Sequence, residues 1–318
     1  ADVVDADLLL VRSVTKVDES LLKDSAVTFV GSATIGTDPV DLDYLQRQGI
    51  RFAHAPGCNA MSVVQYVLSV LSNLQPDWLS CSIGIVGCGN VGGSLYRTLR
   101  SLGLNCSVYD PFLSSDNNPD LVDFATVLRA DVICVHTPLT TSGRFPTKHL
   151  FNAEVLASLP PETLLINAGR GPVIDNSALL SLLQRGSKLS VALDVWEPEP
   201  TINCQLLDLV RLATPHIAGY SREGKLRGTE MLAEAFCQWR GLNAVERAAN
   251  KVGSASIQAA SLSEAILAAY NVADDDRRMR EAINIAGSTD SVAVAFDRLR
   301  KEYPRRHEFT HYTANVPK

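Results

Sequence analysis

Three residues in the middle of the sequence, Arg170, Glu199 and His216, have side chains that suit proton transfer on a carboxylic acid. They lie in the segments NAGRGPVID, LDVWEPEPT and TPHIAGYS. Histidine titrates near neutral pH and can take a proton from a hydroxyl group. A carboxylate can orient the ring and stabilise the imidazolium, and a guanidinium can hold a substrate carboxylate by two hydrogen bonds. Each residue alone also fits a structural role, and Glu197 is an alternative to Glu199 as the carboxylate that orients the histidine.

A glycine-rich turn upstream of these residues predicts a dinucleotide site. The pattern G-x-G-x-x-G follows the apolar run SIGIV and precedes the helical segment NVGGSLYRTLRSLG. Such glycines allow a tight turn, close approach of a pyrophosphate and close packing of helix on strand, and the helix N-terminus offers free N–H groups. The predicted phosphate-binding residues are Gly87, Gly89, Asn90, Val91 and Gly92.

Further polar residues at the ends of predicted strands extend this site. Asp110 lies 18 residues after Gly92, where an acidic side chain accepts both ribose hydroxyls and favours NAD over its 2′-phosphorylated form. A turn position before Pro111 is the alternative role for Asp110. Thr137 ends the run DVICVHT, and Asp194 ends SVALD, where it could contact the nicotinamide carboxamide or cap a turn. With the proton-transfer trio, these residues predict NAD-dependent hydride transfer at a 2-hydroxy acid.

The composition excludes several classes of protein. Of the 318 residues, 46% are hydrophobic and 20% charged, which predicts a folded chain with a large core. The net charge of −6 and the lack of a basic cluster argue against nucleic-acid binding. No apolar run is long enough for a membrane span, the start does not resemble a signal peptide, and no histidine spacing suggests a metal site. Seven cysteines without a CxxC pair favour free thiols in a reducing cytoplasm.

Alternating short apolar runs and helical segments predict an α/β protein with parallel sheets. We expect a Rossmann-type doubly wound domain at residues 76–222 and a smaller flavodoxin-like substrate domain at residues 1–75. Residues 223–242 form a helix that returns to the substrate domain, and residues 243–318 a small α+β dimerisation domain. Expected long helices cover residues 58–75 and 223–239. The expected strands are Leu8–Val11, Thr28–Val30, Ile83–Val86, Cys106–Tyr109, Val132–His136, Leu164–Asn167, Val191–Val195 and Arg211–Thr214.

The order GxGxxG, Asp110, HTPL, NAGRGPVID, ALDVWEPEP and TPHIAG resembles the D-isomer-specific 2-hydroxy acid dehydrogenases. The resemblance implies that Arg170, Glu199 and His216 are catalytic, because the family's glutamate lies five residues after the aspartate of L-D-V. This spacing selects Glu199 over Glu197. It further implies cofactor contacts at Asp110, Thr137, Ala168, Gly169, Arg170, Asp194 and Gly219, and substrate contacts at Ser13, Thr34 and Tyr220.

The likeness is most specific for a branch of this family that has an additional C-terminal region. The segments VRSVTKVDESLL, APGCNAMSVVQYV and HIAGYSREGKLRGT support it, as do YNVADDDRRMRE and FDRLRKEYPRRHEF. It implies a homodimer, with 4-phosphoerythronate as substrate in pyridoxal phosphate biosynthesis. Arg12, beside Ser13, is a candidate charge partner for substrate oxygens. Closure of the domains is expected to exclude water from the hydride path.

Two other functions fit the same residues. Another 2-hydroxy acid, such as glycerate, hydroxypyruvate or 3-phosphoglycerate, could be the substrate. A non-catalytic NAD-sensing corepressor on the same fold would also keep the catalytic residues. The resemblance further implies one more βα unit, about 30 residues long, ahead of residue 1, so the first domain is expected to lack a strand in this sequence.

Overall fold

The computed structural model describes residues 3–114, 116, 118–243, 255–286 and 288–316. These fall into two compact units: the first holds the described parts of residues 1–60 and 220–253, and the second those of residues 61–219 and 254–318. The strands are β1 (Leu8–Val11), β2 (Phe29–Ser32), β3 (Arg51–His54), β4 (Ile83–Val86), β5 (Cys106–Tyr109), β6 (Val132–Val135), β7 (Leu164–Asn167), β8 (Ser190–Leu193), β9 (Leu212–Ala213), β10 (Ala255–Gln258) and β11 (Tyr312–Asn315). The helices are α1 (Glu19–Leu22), α2 (Leu42–Arg47), α3 (Ala60–Leu74), α4 (Asn90–Ser101), α5 (Phe124–Val127), α6 (Ala153–Ser158), α7 (Asn176–Gln184), α8 (Cys204–Leu209), α9 (Arg222–Arg240), α10 (Leu262–Ala269), α11 (Val272–Ala286) and α12 (Thr289–Lys301).

The first unit is built on a parallel three-stranded sheet in the order β1-β2-β3. All four residues of β2 are buried, as expected for a central strand covered on both faces. Phe29 of β2 stacks edge-on against Phe236 of α9, with ring centroids 5.3 Å apart. Ser221, directly after Tyr220, caps α9 by accepting a hydrogen bond from the Gly224 N–H, so the helix begins at Arg222.

The second unit is built on a parallel six-stranded sheet in the order β5-β4-β6-β7-β8-β9. Strands β4, β6 and β7 are buried along their whole length, which explains their continuous apolar sequences IGIV, VICV and LLIN. The strand order changes direction between β4 and β6, because β5 lies on one side of β4 and all later strands of this sheet lie on the other. In such sheets ligands bind at the carboxyl ends of the strands beside this point.

Helices cover both faces of the six-stranded sheet. One buried cluster joins the sheet to α3, α4 and α10, and another joins it to α5–α8, α11 and α12. The described C-terminal residues thus contribute to both cores of this unit. They also form a two-stranded parallel sheet, β10-β11, so the predicted α+β character of this region is confirmed.

The predicted parallel α/β architecture is confirmed, and most strand predictions match within two residues. The two long helices are also present, as α3 and α9. Strands β3, β10 and β11 were not among the expected strands. None of the helices in the described ranges combines the length and apolar character needed to cross a lipid bilayer.

Candidate active site

The three glycines of the turn between β4 and α4 serve different needs. Gly87 has φ +90°, and a Cβ there would lie 2.8 Å from Thr137 Cγ2. A Cβ on Gly92 would lie 1.9 Å from the Gly87 carbonyl oxygen, so the fold itself requires glycine at both positions. A Cβ on Gly89, by contrast, would have no described atom within 4 Å. The protein therefore leaves open space beside Gly89 at the N-terminus of α4, which fits the approach of a pyrophosphate.

Asp110 and Thr137 lie at the carboxyl ends of the two strands next to β4. Asp110 Oδ2 accepts a hydrogen bond of 2.9 Å from the Cys88 N–H, which fixes the carboxylate beside the glycine turn. Thr137 follows β6, is buried, and its hydroxyl has no hydrogen-bond partner among the described residues. A buried unpaired hydroxyl carries a desolvation cost that a bound ligand can relieve. Both residues lie where the prediction placed NAD.

Arg170 is held at the end of β7 by the glycines on either side of it. A Cβ on Gly169 would lie 3.1 Å from the Thr137 carbonyl oxygen, and one on Gly171 would lie 1.8 Å from the Trp196 carbonyl oxygen. The turn therefore packs directly on the backbones that follow β6 and β8. Arg170 Nη1 donates a hydrogen bond of 2.9 Å to the Gly169 carbonyl oxygen. Ala168 precedes this turn and is partly buried against the sheet.

Asp194, which follows β8, organises the segment that carries His216. Its carboxylate is 1% exposed and accepts hydrogen bonds from the N–H groups of Ile217 and Ala218, at 2.8 and 2.9 Å. Thr214 Oγ1 lies 2.7 Å from Asp194 Oδ1. Burial raises the pKa of Asp194, and these hydrogen bonds together with nearby His216 oppose that rise. Both carboxylate oxygens of Asp194, the residue predicted to contact nicotinamide, thus accept hydrogen bonds from the segment that carries His216.

His216 and Glu199 form a hydrogen-bonded pair. His216 Nδ1 lies 2.8 Å from Glu199 Oε2, and the Trp196 N–H donates a hydrogen bond of 2.9 Å to Glu199 Oε1. Burial alone would raise the pKa of Glu199, but the charge and hydrogen bond of His216 and the Trp196 N–H outweigh it, so the pKa lies below its ordinary value. An ionised carboxylate only accepts hydrogen bonds, so Nδ1 carries a proton and Nε2 is left as the basic nitrogen.

Glu197, the alternative carboxylate, faces a different histidine. His149 Nε2 lies 2.9 Å from both oxygens of Glu197, and His149 Nδ1 lies 3.8 Å from Asp175 Oδ2. Ligand atoms of these three side chains lie within 4.8 Å of one another, an arrangement of metal-ligand types that the sequence spacing did not suggest. The His149–Glu197 hydrogen bonds already pair these groups.

The predicted substrate residues lie in the first unit. Ser13 follows β1 and Thr34 follows β2, so both lie at the carboxyl edge of the three-stranded sheet. Ser13 Oγ lies 3.4 Å from the Tyr220 hydroxyl, and Thr34 Oγ1 lies 2.8 Å from Ser32 Oγ. Lys225, which the sequence reasoning did not select, has its Nζ 5.4 Å from the centre of the Tyr220 ring. Lys225 could have been selected from the sequence, because it lies one turn into the helix that follows Tyr220.

Comparison with known protein families divides the chain into two matched segments. Residues 73–218 match the family described as D-isomer specific 2-hydroxyacid dehydrogenase, NAD binding domain. Residues 246–317 match a domain of unknown function, DUF3410.

Curated relatives match almost the whole chain. The erythronate-4-phosphate dehydrogenase of Teredinibacter turnerae is 49% identical, over 100% of this chain and 88% of the relative. That of Cellvibrio japonicus is 46% identical, over 99% and 86%. Among solved structures, the D-lactate dehydrogenase of Aquifex aeolicus, complexed with NAD and lactic acid, has a TM-score of 0.63 at 24% identity, covering 76% of this chain and 85% of that one. NAD-bound 3-phosphoglycerate dehydrogenase of Entamoeba histolytica has a TM-score of 0.63 at 25% identity, over 77% and 83%.

Proposed function

Because the chain belongs to the erythronate-4-phosphate dehydrogenases, within the D-isomer-specific 2-hydroxyacid dehydrogenase family, we propose that it oxidises 4-phosphoerythronate at C2. The products are 2-oxo-3-hydroxy-4-phosphobutanoate, NADH and a proton. The hydrogen-bonded pair of His216 and Glu199 is the observation that carries this proposal, since it supplies a base at the carboxyl edge of a dinucleotide-binding sheet. The reaction belongs to pyridoxal phosphate biosynthesis.

His216 Nε2 removes the proton of the C2 hydroxyl group. The Nδ1–H of the same ring donates to Glu199, so the positive charge that forms on the imidazole has an ionised partner 2.8 Å away. The Trp196 N–H holds the second oxygen of Glu199 and keeps the carboxylate from turning away. Loss of a general base costs about 10²–10⁴ in rate.

Arg170 binds the substrate carboxylate and polarises the carbonyl that forms at C2. A guanidinium suits this role because it offers parallel N–H donors with a fixed geometry. The residues of the glycine turn, Asp110 at the ribose, and Thr137 and Gly219 nearby would hold NAD, which would supply the acceptor for the hydride from C2.

Ser13, Thr34 and Tyr220 bind the polar groups of the substrate, including the phosphate. The proximity of Ser13 to Tyr220, and the position of Lys225 near that ring, support this assignment because hydroxyl donors and a cation suit phosphate oxygens.

Other features support a proposed homodimer and a cytoplasmic location. Ile285 on α11 is 84% exposed and Val294 on α12 is 67% exposed, which supports a homodimer formed through the C-terminal region. All seven cysteines are free thiols, which supports a reducing, cytoplasmic setting. Light scattering of the Ile285→Glu variant tests the dimer; an unchanged dimer mass would contradict this interface.

A substrate panel tests the function. Purified protein is mixed with NAD and 4-phosphoerythronate, 3-phosphoglycerate or glycerate, and NADH formation is followed by absorbance. We expect the highest kcat/KM for 4-phosphoerythronate. A preference for an unphosphorylated acid would contradict the substrate assignment, and tight NAD binding without turnover of any acid would favour a sensing role.

A further inference from the structure

The described C-terminal residues contact the same short segment that carries His216. This segment runs from α8 through β9, a two-residue strand at the edge of the six-stranded sheet, to Ala218. An edge strand this short is held by few ladder hydrogen bonds of its own. On the sheet side, the N–H groups of Thr214 and His216 donate to the carbonyl oxygens of Leu193 and Asp194, at 2.9 and 2.7 Å. The position of His216 also depends on what holds β9 from the other side.

An ion pair on α11 clamps both ends of the α8–β9 connection. Asp276 Oδ1 accepts a hydrogen bond of 2.8 Å from the Ala213 N–H. Arg280 pairs with Asp276 through Nε and donates from Nη1 and Nη2 to the carbonyl oxygens of Leu207 and Val210, at 2.7 and 3.0 Å. Both side chains are mostly buried, so the pair is screened less than a surface pair would be.

Arg306 holds the other end of the segment. Its side chain is buried, with the guanidinium carbon 4.2 Å from the centre of the Tyr270 ring. Arg306 Nη2 donates a hydrogen bond to the Ala218 carbonyl oxygen, two residues after His216, and lies 3.3 Å from the Ser62 carbonyl oxygen. Its Nε and Nη1 have no hydrogen-bond partner among the described residues. A buried cation with incomplete hydrogen bonding is costly, and here the Tyr270 ring and the Ala218 carbonyl oxygen are what stabilise it.

His216 itself needs such support. Its φ is +56°, a left-handed conformation that is unfavourable for a residue with a side chain. Backbone of this kind persists where the surroundings fix it from several sides. Asp194 fixes the segment from the sheet side, through the N–H groups of Ile217 and Ala218. The contacts of Asp276, Arg280 and Arg306 fix it from the C-terminal side.

We propose that Arg306, with the Asp276–Arg280 pair, acts as a positioning residue for the base of the reaction, and that this is one function of the C-terminal region of unknown function. This inference rests on the proposed role of His216. In the unaltered protein the Arg306 hydrogen bond holds Ala218, and thereby keeps Nε2 of His216 directed at the substrate hydroxyl. A base displaced by about 1 Å costs up to about 100-fold in rate.

A double-mutant cycle separates positioning from general stabilisation. Arg306→Met is made in the unaltered protein and in a His216→Ala background, and kcat, KM and the affinity for NAD are measured. We expect Arg306→Met to lower kcat by about 10–100-fold in the first background. In the second we expect a change below about twofold, because there is no base left to position.

Further variants guard against loss of folding. Arg306→Lys keeps a cation and one N–H toward Ala218, so we expect it to retain more activity than Arg306→Met. Asp276→Ala removes the hydrogen bond to the Ala213 N–H of β9 without emptying a core site. We expect it to lower kcat less than Arg306→Met does, and to have no effect on kcat in the His216→Ala background. Arg277→Met is the matched control, because Arg277 lies on the same helix, is 65% exposed and pairs with the neighbouring Asp274.

The outcomes distinguish this inference from the proposed function. Unchanged kcat in Arg306→Met and Asp276→Ala overturns the positioning role and leaves the proposed function intact. An equal fall with and without His216 also overturns it, because the effect then does not act through the base. An unaltered protein that does not turn over 4-phosphoerythronate contradicts the proposed function and this inference with it.

Discussion

Replacing Glu199 with glutamine should slow the reaction without unfolding the protein. Glutamine has nearly the same shape and can still accept the Trp196 N–H. What is lost is the negative charge 2.8 Å from His216 Nδ1. The protonated imidazole that forms during oxidation then has a neutral partner in place of an ionised one.

The expected size of the effect follows from this one hydrogen bond. Hydrogen bonds to charged groups contribute about 1.5–3 kcal/mol, and neutral ones about 0.5–1.5 kcal/mol. The difference of about 1–2 kcal/mol corresponds to a fall in kcat of about 5–30-fold.

Steady-state kinetics test this prediction, with Glu197→Gln as the matched control. Glu197 has the same charge and lies two residues away, but it faces His149. We expect Glu197→Gln to leave kcat nearly unchanged. An unchanged kcat in Glu199→Gln, or an equal fall in both variants, would refute the assigned partnership of Glu199 and His216.

Three further predictions concern the cofactor turn, a buried histidine and the substrate carboxylate. Gly89→Ala should weaken NAD binding by about tenfold with little change in Tm, because its Cβ enters the open space expected to hold the pyrophosphate. Gly92→Ala should lower the free energy of unfolding by about 1–3 kcal/mol, because its Cβ meets the Gly87 carbonyl oxygen. Calorimetric titration of NAD and thermal melts of both variants check these two predictions. Burial lowers the pKa of His136 to about 4. Between this pKa and the ordinary one the folded state binds fewer protons than the unfolded state, so the protein loses stability as the pH is lowered. Urea unfolding should show a loss of about 2 kcal/mol between pH 7 and pH 5 that His136→Phe lacks; an identical pH dependence would contradict it. Arg170→Lys should lower kcat/KM for the acid by about tenfold or more, and an unchanged kcat/KM would argue against two parallel hydrogen bonds from Arg170 to the substrate carboxylate.

Much of the sheet could be predicted because its central strands are short apolar runs with polar ends. Such runs mark parallel strands that are buried on both faces. The glycine turn, Asp110 and the trio of Arg170, Glu199 and His216 could be predicted for the same reason, because each follows a recognisable strand. The choice of Glu199 over Glu197 needed the family spacing, because the two carboxylates differ only in which histidine the folded chain places beside them.

The remaining features depend on contacts between distant parts of the chain. Strand β3, with the sequence RFAH, is only partly buried and has no alternation of apolar and polar residues. Strands β10 and β11 pair across more than 50 intervening residues and contain few β-branched residues. The hydrogen bond from Arg306 to Ala218 joins positions 88 residues apart. No local pattern can indicate such a contact, and the arginine-rich segment YPRRHEF suggests an exposed surface.

We propose that His216 removes the proton while a hydride leaves C2, and a single-turnover experiment with 4-phosphoerythronate deuterated at C2 tests this step. In the unaltered protein we expect deuterium in the NADH formed. We expect the same label in His216→Ala, at a rate about 10²–10⁴-fold lower. Unlabelled NADH, or near-normal turnover in His216→Ala, would contradict the account.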